Sequence, residues 1–561
     1  MTSKEIGLEV TVESERARAT IVIVAREQFG LAVRSLDSVL GDRRIPFELV
    51  YVDAGSPPSV QSEIEKRVHG AGGKLLRIHE HLSPNMARNR ALPHLQTEYV
   101  VFVDNDVLVE AGWLEALVAC ADETGCAVVG PRTMIETGSG TYVHLIGGEL
   151  TMTEEDGRRE FSEHHIQSIE SPTSGEQEPQ RRECDFAEFH TMLVRRSVLE
   201  EIGPLDEALL SASEHLDLCL TIKRAGYRVY VEPKSELTYV QPHSLMLSER
   251  AYFLKRWSDD WNERSFDHFV NKWDLERSAK FFEGTQKFLY GHQALCPLPV
   301  PDRIDPADHS DLVAHGYAQT PTQLYQQMRR AGWETAAIGR MQARCAFAVV
   351  LFSGLSRACG KPFLCHAIGT ASILLRFGVP LCLVEAGLMH AAYSHGEFPS
   401  ARKKSRLRRR RMLKHELGGE TEGLIRRYHE YDWDGGPPSA ELDVLDCRDA
   451  GIFLMRMAND LEESLDLSLA YTAKGPVLRP QWQGFFDALA EELGIAGLAA
   501  ELALGLEATR AAGLPESLRQ AESSSYAIES WNRTRESPDR LRTLKKSKWR
   551  SSLYRILMSK R

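Results

Sequence analysis

The chain of 561 residues has no CxxC pair among its ten cysteines, no excess of positive charge, and no long apolar run free of charge and proline. Each absence excludes something. Scattered, unclustered cysteines exclude a disulfide scaffold and fit a reducing compartment with mostly buried thiols. Lys plus Arg number 68 against 79 Asp plus Glu, a net charge of −11, which argues against a nucleic-acid binder as a whole. The N-terminal stretch MTSKEIGLEVTVESERAR lacks the apolar centre of a signal peptide. The most apolar stretch, Ala367 to Leu388, is interrupted by Arg376, Pro380 and Glu385. A spanning helix wants ~20 mostly apolar residues, so none is expected there. No repeat at a solenoid period is visible. The expected location is the cytoplasm.

What is there is ordinary globular text, 43% hydrophobic and 26% charged, long enough for two to four domains. ATIVIVA, FELVYVD and YVVFVDNDVLV are continuous apolar runs, the pattern of strands buried on both faces. Helix-length segments separate them, which predicts βαβ units and a parallel sheet. Ligands of such sheets bind beyond the carboxyl ends of the strands, where Asp53, Asp104 and Asp106 fall. Residues 154–183 are polar and rich in Glu, Ser and Pro, and read as a mobile loop. From about residue 247 the text becomes helical, and the proline-rich CPLPVPDRIDP at 296–306 marks a boundary. The expected partition is an N-terminal tail 1–18, an α/β domain 19–300 with a helical extension at 247–295, an all-α domain 306–515, and a basic tail 516–561.

VDNDV places Asp104 and Asp106 two apart at the end of a buried strand, on one face of it. Paired carboxylates there suit a hard divalent cation that also takes phosphate oxygens and can neutralise a departing diphosphate. With this motif the pattern TIVIVAR, VDAGS, NMARNRAL, VFVDNDVLVEAGWLEAL and RRSVLEEIGPLDEALLSASEHLDLCLTIKRAGYRV is complete. Over residues 19–240 it resembles the inverting glycosyltransferases of family 2, with a Rossmann-like, mostly parallel GT-A fold. The resemblance implies a nucleotide-sugar donor and a glycan or other hydroxyl acceptor. It implies that Asp53, Asn85, Arg88, Asn89 and Asp104 line the donor site, and that Asp104 and Asp106 hold Mn or Mg. EHLDL occupies the family's acidic acceptor motif and offers Glu214, His215 and Asp217, with Glu214 the favoured base. Asp217 could instead cap the helix that follows.

Two positions depart from the family pattern. His215 stands where a second acidic residue is usual. Tyr239 stands where a metal-binding His is frequent, with His243 four residues on, which leaves the cation with Asp104 and Asp106 alone. Glu188 and His190 precede the acceptor helix and could face the acceptor or lie in the core. An aromatic stripe (Phe253, Trp257, Trp261, Phe266, Phe269 and Trp273) reads as core, or else as a platform for a sugar.

Further on, HAIGTASILLRFGVP, AGLMHAAYSHG, HELGGETEGLIRRY and MANDLEESL resemble an uncharacterised helical family distantly related to HD-type metal-dependent phosphohydrolases. His366 and His390 on neighbouring helices could build a second, transition-metal site. The adjacent His-Asp pair of HD enzymes is absent, since Ala391 follows His390, and Asn459 or Asp460 could supply a late ligand. Eight basic residues fill Arg402–Arg411, a solvated face or a phosphate binder. The last segment carries nine basic residues and no acid after Asp539, with Trp549, Leu553, Ile556 and Leu557 beside them. It is either a solvated tail or a surface for a membrane's inner face or an anionic partner. The leading expectation is metal-assisted inverting transfer of a hexosyl-type group. The alternatives are phosphohydrolase or oxygenase chemistry in the helical domain, or a degenerate sugar-binding module.

Overall fold

The computed structural model describes residues 16–24, 27–137, 140–155, 158–167, 180–241, 245–277, 279–299, 316–357, 359–398, 406–438, 441–465, 470, 480–512 and 526–527. The basic tail from residue 540, His243 and the start of the 402–411 run lie outside the described residues. The chain divides into two compact units, Met1–Leu295 and Cys296–Arg561.

In the first unit the strands are β1 (Ala19–Val24), β2 (Phe47–Ala54), β3 (Lys74–Ile78), β4 (Tyr99–Asp104), β5 (Val107–Val109) and β6 (Val128–Thr137). They continue as β7 (Gly140–Leu145), β8 (Gly148–Glu155), β9 (Arg158–His165), β10 (Arg182–Cys184), β11 (Thr191–Arg195) and β12 (Val229–Val240). The main sheet runs β10-β12-β6-β11-β4-β1-β2-β3, with β5 on β12 and β7 on β6. All six residues of β1 and of β4 are buried, as their unbroken apolar text requires. Alternation divides them between two cores: Ile21 and Ile23 face one, Val22 and Val24 the other.

Helices α1 (Ala32–Gly41), α2 (Pro58–Gly70) and α4 (Trp113–Thr124) cover the first face. Helices α3 (Pro84–Ala91), α5 (Arg196–Ile202), α6 (Glu214–Arg224) and α8 (Asp259–Lys272) cover the second. Helix α7 (Arg250–Arg256) precedes α8, and α9 (Ala279–Gln293) follows it.

The expectation of a mostly parallel sheet is corrected. Strands β3, β2, β1 and β4 are parallel, but β11 runs antiparallel between β4 and β6. The sheet is therefore mixed, and β11 leads directly into α5. The mobile loop expected at 154–183 is also corrected over its first part. Strands β8 and β9 form an antiparallel hairpin in register from Gly148↔His165 to Glu155↔Arg158. One side chain explains it: Phe161 is 4% exposed and packs edge-on against Phe269 of α8. Charged residues along the rest of the hairpin hid this anchor in the sequence.

The described residues of the second unit are helical, apart from the short pairing of β13 (Leu355–Ser356) with β14 (Tyr526–Ala527). Its helices begin with α10 (Pro321–Arg330), α11 (Thr335–Phe352), α12 (Phe363–Arg376), α13 (Leu381–Leu388) and α14 (Ala392–His395). They end with α15 (Arg406–Leu417), α16 (Gly419–Glu430), α17 (Cys447–Leu465), α18 (Pro480–Glu492) and α19 (Ala496–Ala511). The apolar stretch Ala367–Leu388 is thus two helices, broken at Phe377–Pro380 where Gly378 takes φ +67°. By length and composition α11 could cross a membrane. Its Arg340 and Arg344 bind the fully buried Glu385 of α13.

Candidate functional site

Strand β4 ends at Asp104, and its buried carboxylate is held from two directions. Arg88 Nη2, on α3, donates to Oδ1 at 3.0 Å, and His190 Nδ1 lies 3.6 Å from Oδ2. Arg88 is 1% exposed and its guanidinium lies 3.7 Å over the Phe189 ring. Asp106, 1% exposed, receives Gln28 Nε2 at 3.3 Å; the same amide donates to Val240 O at 2.8 Å. Gln28 sits at φ +52°, a left-handed backbone that is uncommon for a side-chain-bearing residue. Asp104, Asp106 and His190 offer ligand atoms within 4.8 Å of one another, a set that could hold a metal.

The sequence missed His190 as a member of that group. Tyr239, at the position where the resemblance leads one to expect a ligand, stacks on the His190 ring at 4.1 Å. The imidazole nearest the two aspartates thus comes from the residue before β11 and not from β12.

The remaining expected residues fall into groups. Asp53, at the end of β2, is fully buried; Oδ1 accepts from Ser56 N at 3.2 Å. Its Oδ2 lies 3.5 Å from Arg77 Nε and has no hydrogen-bond partner among the described residues. Asn85 and Asn89 spend their side chains on the loop before α6. Asn85 Nδ2 donates to Asp206 O at 2.9 Å, and Asn89 exchanges bonds with Leu205 N and O at 2.9 and 2.8 Å. These bonds tie α3 to that loop. Arg88 likewise serves Asp104 and Asn85.

Ser213 at φ +65° opens α6, so Glu214 and His215 occupy its first turn. Glu214 is 8% exposed. Burial lowers the His215 imidazole to about 4, against the pull of Glu188 and Glu214, and its ring lies 5.6 Å from that of Phe186. Asp217 is taken by Trp273 Nε1 and Lys272 Nζ, each at 2.9 Å. It therefore ties α6 to the end of α8 and is neither a helix cap nor an available base. The aromatic stripe is core in part: Phe253, Trp257, Phe266 and Phe269 are buried, Trp257 Nε1 donating to Glu27 Oε2 at 2.8 Å, while Trp261 and Trp273 are half-buried.

Beside Asp104 lies a histidine cluster that the sequence did not assemble. His144 of β7, His165 of β9 and His190 surround the carboxylate of Glu188. Burial works to raise the Glu188 carboxyl, but His144 and His190 hold it well below its ordinary range. Burial and Glu188 together push nearby Glu163 up to about 7.

In the second unit His366 and His390 do meet, with their Nε2 atoms 3.3 Å apart. His366 Nδ1 faces Glu462 Oε2 at 2.5 Å, and His390 Nδ1 donates to Gly387 O at 2.7 Å. Burial pushes the His390 imidazole down to about 3, with His366 adding to it. Gly369 leaves room for this packing, since a Cβ there would lie 2.6 Å from Glu462 Cγ. Asp460 is paired with Arg456 at 2.8 Å, and Asn459 donates to Asp460 at 3.0 Å, so neither is drawn to the histidines.

Residues 20–203 match the model of glycosyl transferase family 2. Residues 355–432 match a separate domain of unknown function, DUF6817. A pre-mycofactocin glycosyltransferase of Mycobacterium tuberculosis (strain CDC 1551 / Oshkosh) is 27% identical over 214 residues, 38% of this chain and 41% of that protein. The uncharacterized protein y4gI of Sinorhizobium fredii (strain NBRC 101917 / NGR234) is 25% identical over 263 residues, 45% of this chain and 27% of that protein. The chain thus spans less than half the length of these relatives. Among solved structures, GalNAc-T7 with UDP, GalNAc and Mn2+ gives a TM-score of 0.34 at 14% identity, over 50% of this chain and 55% of that one. The mannosyltransferase PcManGT from Pyrobaculum calidifontis, with GDP-Man and Mn2+, gives 0.32 at 15%, over 58% of this chain and 84% of that one.

Proposed function

We propose that the first unit transfers a sugar, of hexosyl type, from a nucleoside-diphosphate donor to a hydroxyl acceptor with inversion at the anomeric carbon. The observation that carries this reading is the pairing of the buried Asp104 and Asp106 at the carboxyl end of β4, inside a segment that matches glycosyl transferase family 2. Two carboxylates two residues apart fit Mg2+ or Mn2+, which when bound neutralises charge on the departing diphosphate.

The protein's own residues do the rest. Arg88 and Gln28 fix the rotamers of Asp104 and Asp106. Asp53 presents Oδ2 to the nucleoside. Glu214, at the start of α6, takes the proton of the acceptor hydroxyl as its oxygen attacks the anomeric carbon. The bond to the diphosphate breaks on the opposite face, and the electron pair leaves with the nucleotide. Asp217, committed to Lys272 and Trp273, leaves the base role to Glu214.

The test is a donor screen of the full chain with Mn2+ or Mg2+ and a panel of nucleotide sugars, reading released nucleotide. Turnover of one donor that Asp106→Asn abolishes supports the reading. Donor binding without turnover across a broad acceptor set would leave a degenerate sugar-binding module.

A second reading concerns the helical unit, whose HD-like character and metal we propose on one observation. Both Nδ1 atoms are committed: that of His390 to a carbonyl, which can only accept, and that of His366 to a carboxylate. Both Nε2 lone pairs then face each other. At 3.3 Å their separation matches two ligands of a tetrahedral ion with bonds of about 2.0–2.1 Å. Phosphohydrolase or oxygenase chemistry would follow from such an ion. Metal content of the full chain that falls by one equivalent in His390→Gln supports it; an unchanged content leaves hydrogen-bonded core histidines.

A further inference from the structure

The Glu188 carboxylate has more nitrogen around it than an ion pair can use. His144 Nε2 lies 3.1 Å and His190 Nε2 3.5 Å from its Oε2, and His165 Nε2 lies 3.6 Å from its Oε1. The ligand atoms of His144, Glu188 and His190 all lie within 4.8 Å of one another. The side chains are largely withdrawn from water, Glu188 at 11% and His190 at 9% exposure.

His190 makes the arrangement decisive. One ring nitrogen faces Asp104 Oδ2 at 3.6 Å and the other faces Glu188 Oε2 at 3.5 Å. Its two ring nitrogens therefore face two different positions: Nδ1 is turned to Asp104, and Nε2 stands with His144 and Glu188. A cation held at the second position uses all three groups. Asp104 then orients the ring from behind, as outer-shell carboxylates do for ligating histidines. His165, on the other carboxylate oxygen, fixes the plane of Glu188.

We propose that His144, Glu188 and His190 form a binding site for an imidazole-preferring transition metal of the Zn2+ class, separate from the hard-cation position on Asp104 and Asp106. Two histidines and a carboxylate with open positions are a donor set that Zn2+ accepts, whereas Mg2+ is better served by the carboxylates next door. The inference goes beyond the transfer reading and does not depend on it. Four separated segments converge on the site, from β7, β9 and the approach to β11, with His215 of α6 facing the same group across Phe186.

The experiment strips the full chain of metal, reloads it with Zn2+ or with Co2+ as a visible probe, and counts bound ions by mass spectrometry. His144→Ala and Glu188→Gln are compared with wild type, Asp106→Asn and His390→Gln. Glu188→Gln keeps the side-chain volume, and melting curves establish that each variant is folded. We expect His144→Ala and Glu188→Gln, each combined with His390→Gln, to bind one equivalent fewer than His390→Gln alone and to lose the imidazole-type Co2+ spectrum. Asp106→Asn and the His390→Gln variant should keep that spectrum. Equal stoichiometry and spectrum in His390→Gln and in the two combined variants would overturn the site and leave a proton-bridged network. Mn2+ affinity, read by paramagnetic resonance, reports separately on Asp104 and Asp106. Its absence with the Zn2+ equivalent retained would sink the transfer reading and leave this one standing.

Discussion

At the scale of single residues, the two aspartates of the VDND turn are not equivalent. Asp104 neutralises Arg88, a guanidinium that is 1% exposed. Its removal takes the carboxylate away from that buried charge, which costs about 3–5 kcal/mol. Asp106 is held by the amide of Gln28, and Asn can keep a hydrogen bond there. We therefore expect Asp104→Ala to lower the melting temperature sharply as well as activity. Asp106→Asn should melt near wild type and lose transfer by about 100-fold or more, since a metal at a developing charge is worth several kcal/mol. Thermal melts alongside released-nucleotide assays would check this; full activity in Asp106→Asn would refute the metal assignment. The same logic separates Glu214 from Asp217. Glu214→Gln should lose kcat by about 100-fold or more, the scale of a general base. Asp217→Asn should keep kcat within a few-fold and lose about 1–3 kcal/mol of stability through Lys272 and Trp273.

At the scale of elements, the β8–β9 hairpin depends on one aromatic. Phe161 joins the second-face core through Phe269, while its neighbours on β9 are charged or polar. Phe161→Ala should cost about 3–5 kcal/mol at a well-packed site. Hydrogen exchange should then show the hairpin amides losing protection before those of β1 and β4. Because β9 ends at His165, the same variant should also weaken the His144–Glu188–His190 group. Protection at β8 and β9 equal to wild type would show that the hairpin is held by something else.

At the scale of the whole molecule, buried imidazoles set the response to acid. In the folded chain His215 titrates at about 4 and His390 at about 3, both displaced mainly by burial, against an ordinary 6.5. Between those values and 6.5 the unfolded chain binds more protons than the folded one, so stability falls as pH falls. Burial works against the carboxyl of Glu462 too, but His366 and Lys361 hold it at about 2, which adds a loss below about 4.5 with the same sign. Glu163, pushed up to about 7, works in the opposite sense between about 7 and 4.5, so melting of metal-free full chain should fall gently from about 6.5 to 4.5 and more steeply from there to about 3. His215→Gln should make the upper part of that fall shallower. A melting temperature independent of pH across this range would contradict the assigned burial.

The sequence by itself determined the local and periodic features. Unbroken apolar runs forced β1, β2 and β4 into the interior, and their carboxyl ends had to carry Asp53, Asp104 and Asp106 to one edge. The helical character of the second unit was equally legible in its spacing. The tertiary structure alone decided what depends on pairing between distant segments. The antiparallel direction of β11 is fixed by its pairing with β4 and β6, which no periodicity records. The first part of the expected loop became a hairpin whose Phe161 and Leu150 pack on the second-face core. Arg88, Asn85 and Asn89 became positioning residues because their partners lie 16 to 121 positions away. His144 and His165 stand on β7 and β9, apart in sequence from Glu188 and His190 before β11, and only the pairing of distant segments brings these nitrogens onto one carboxylate.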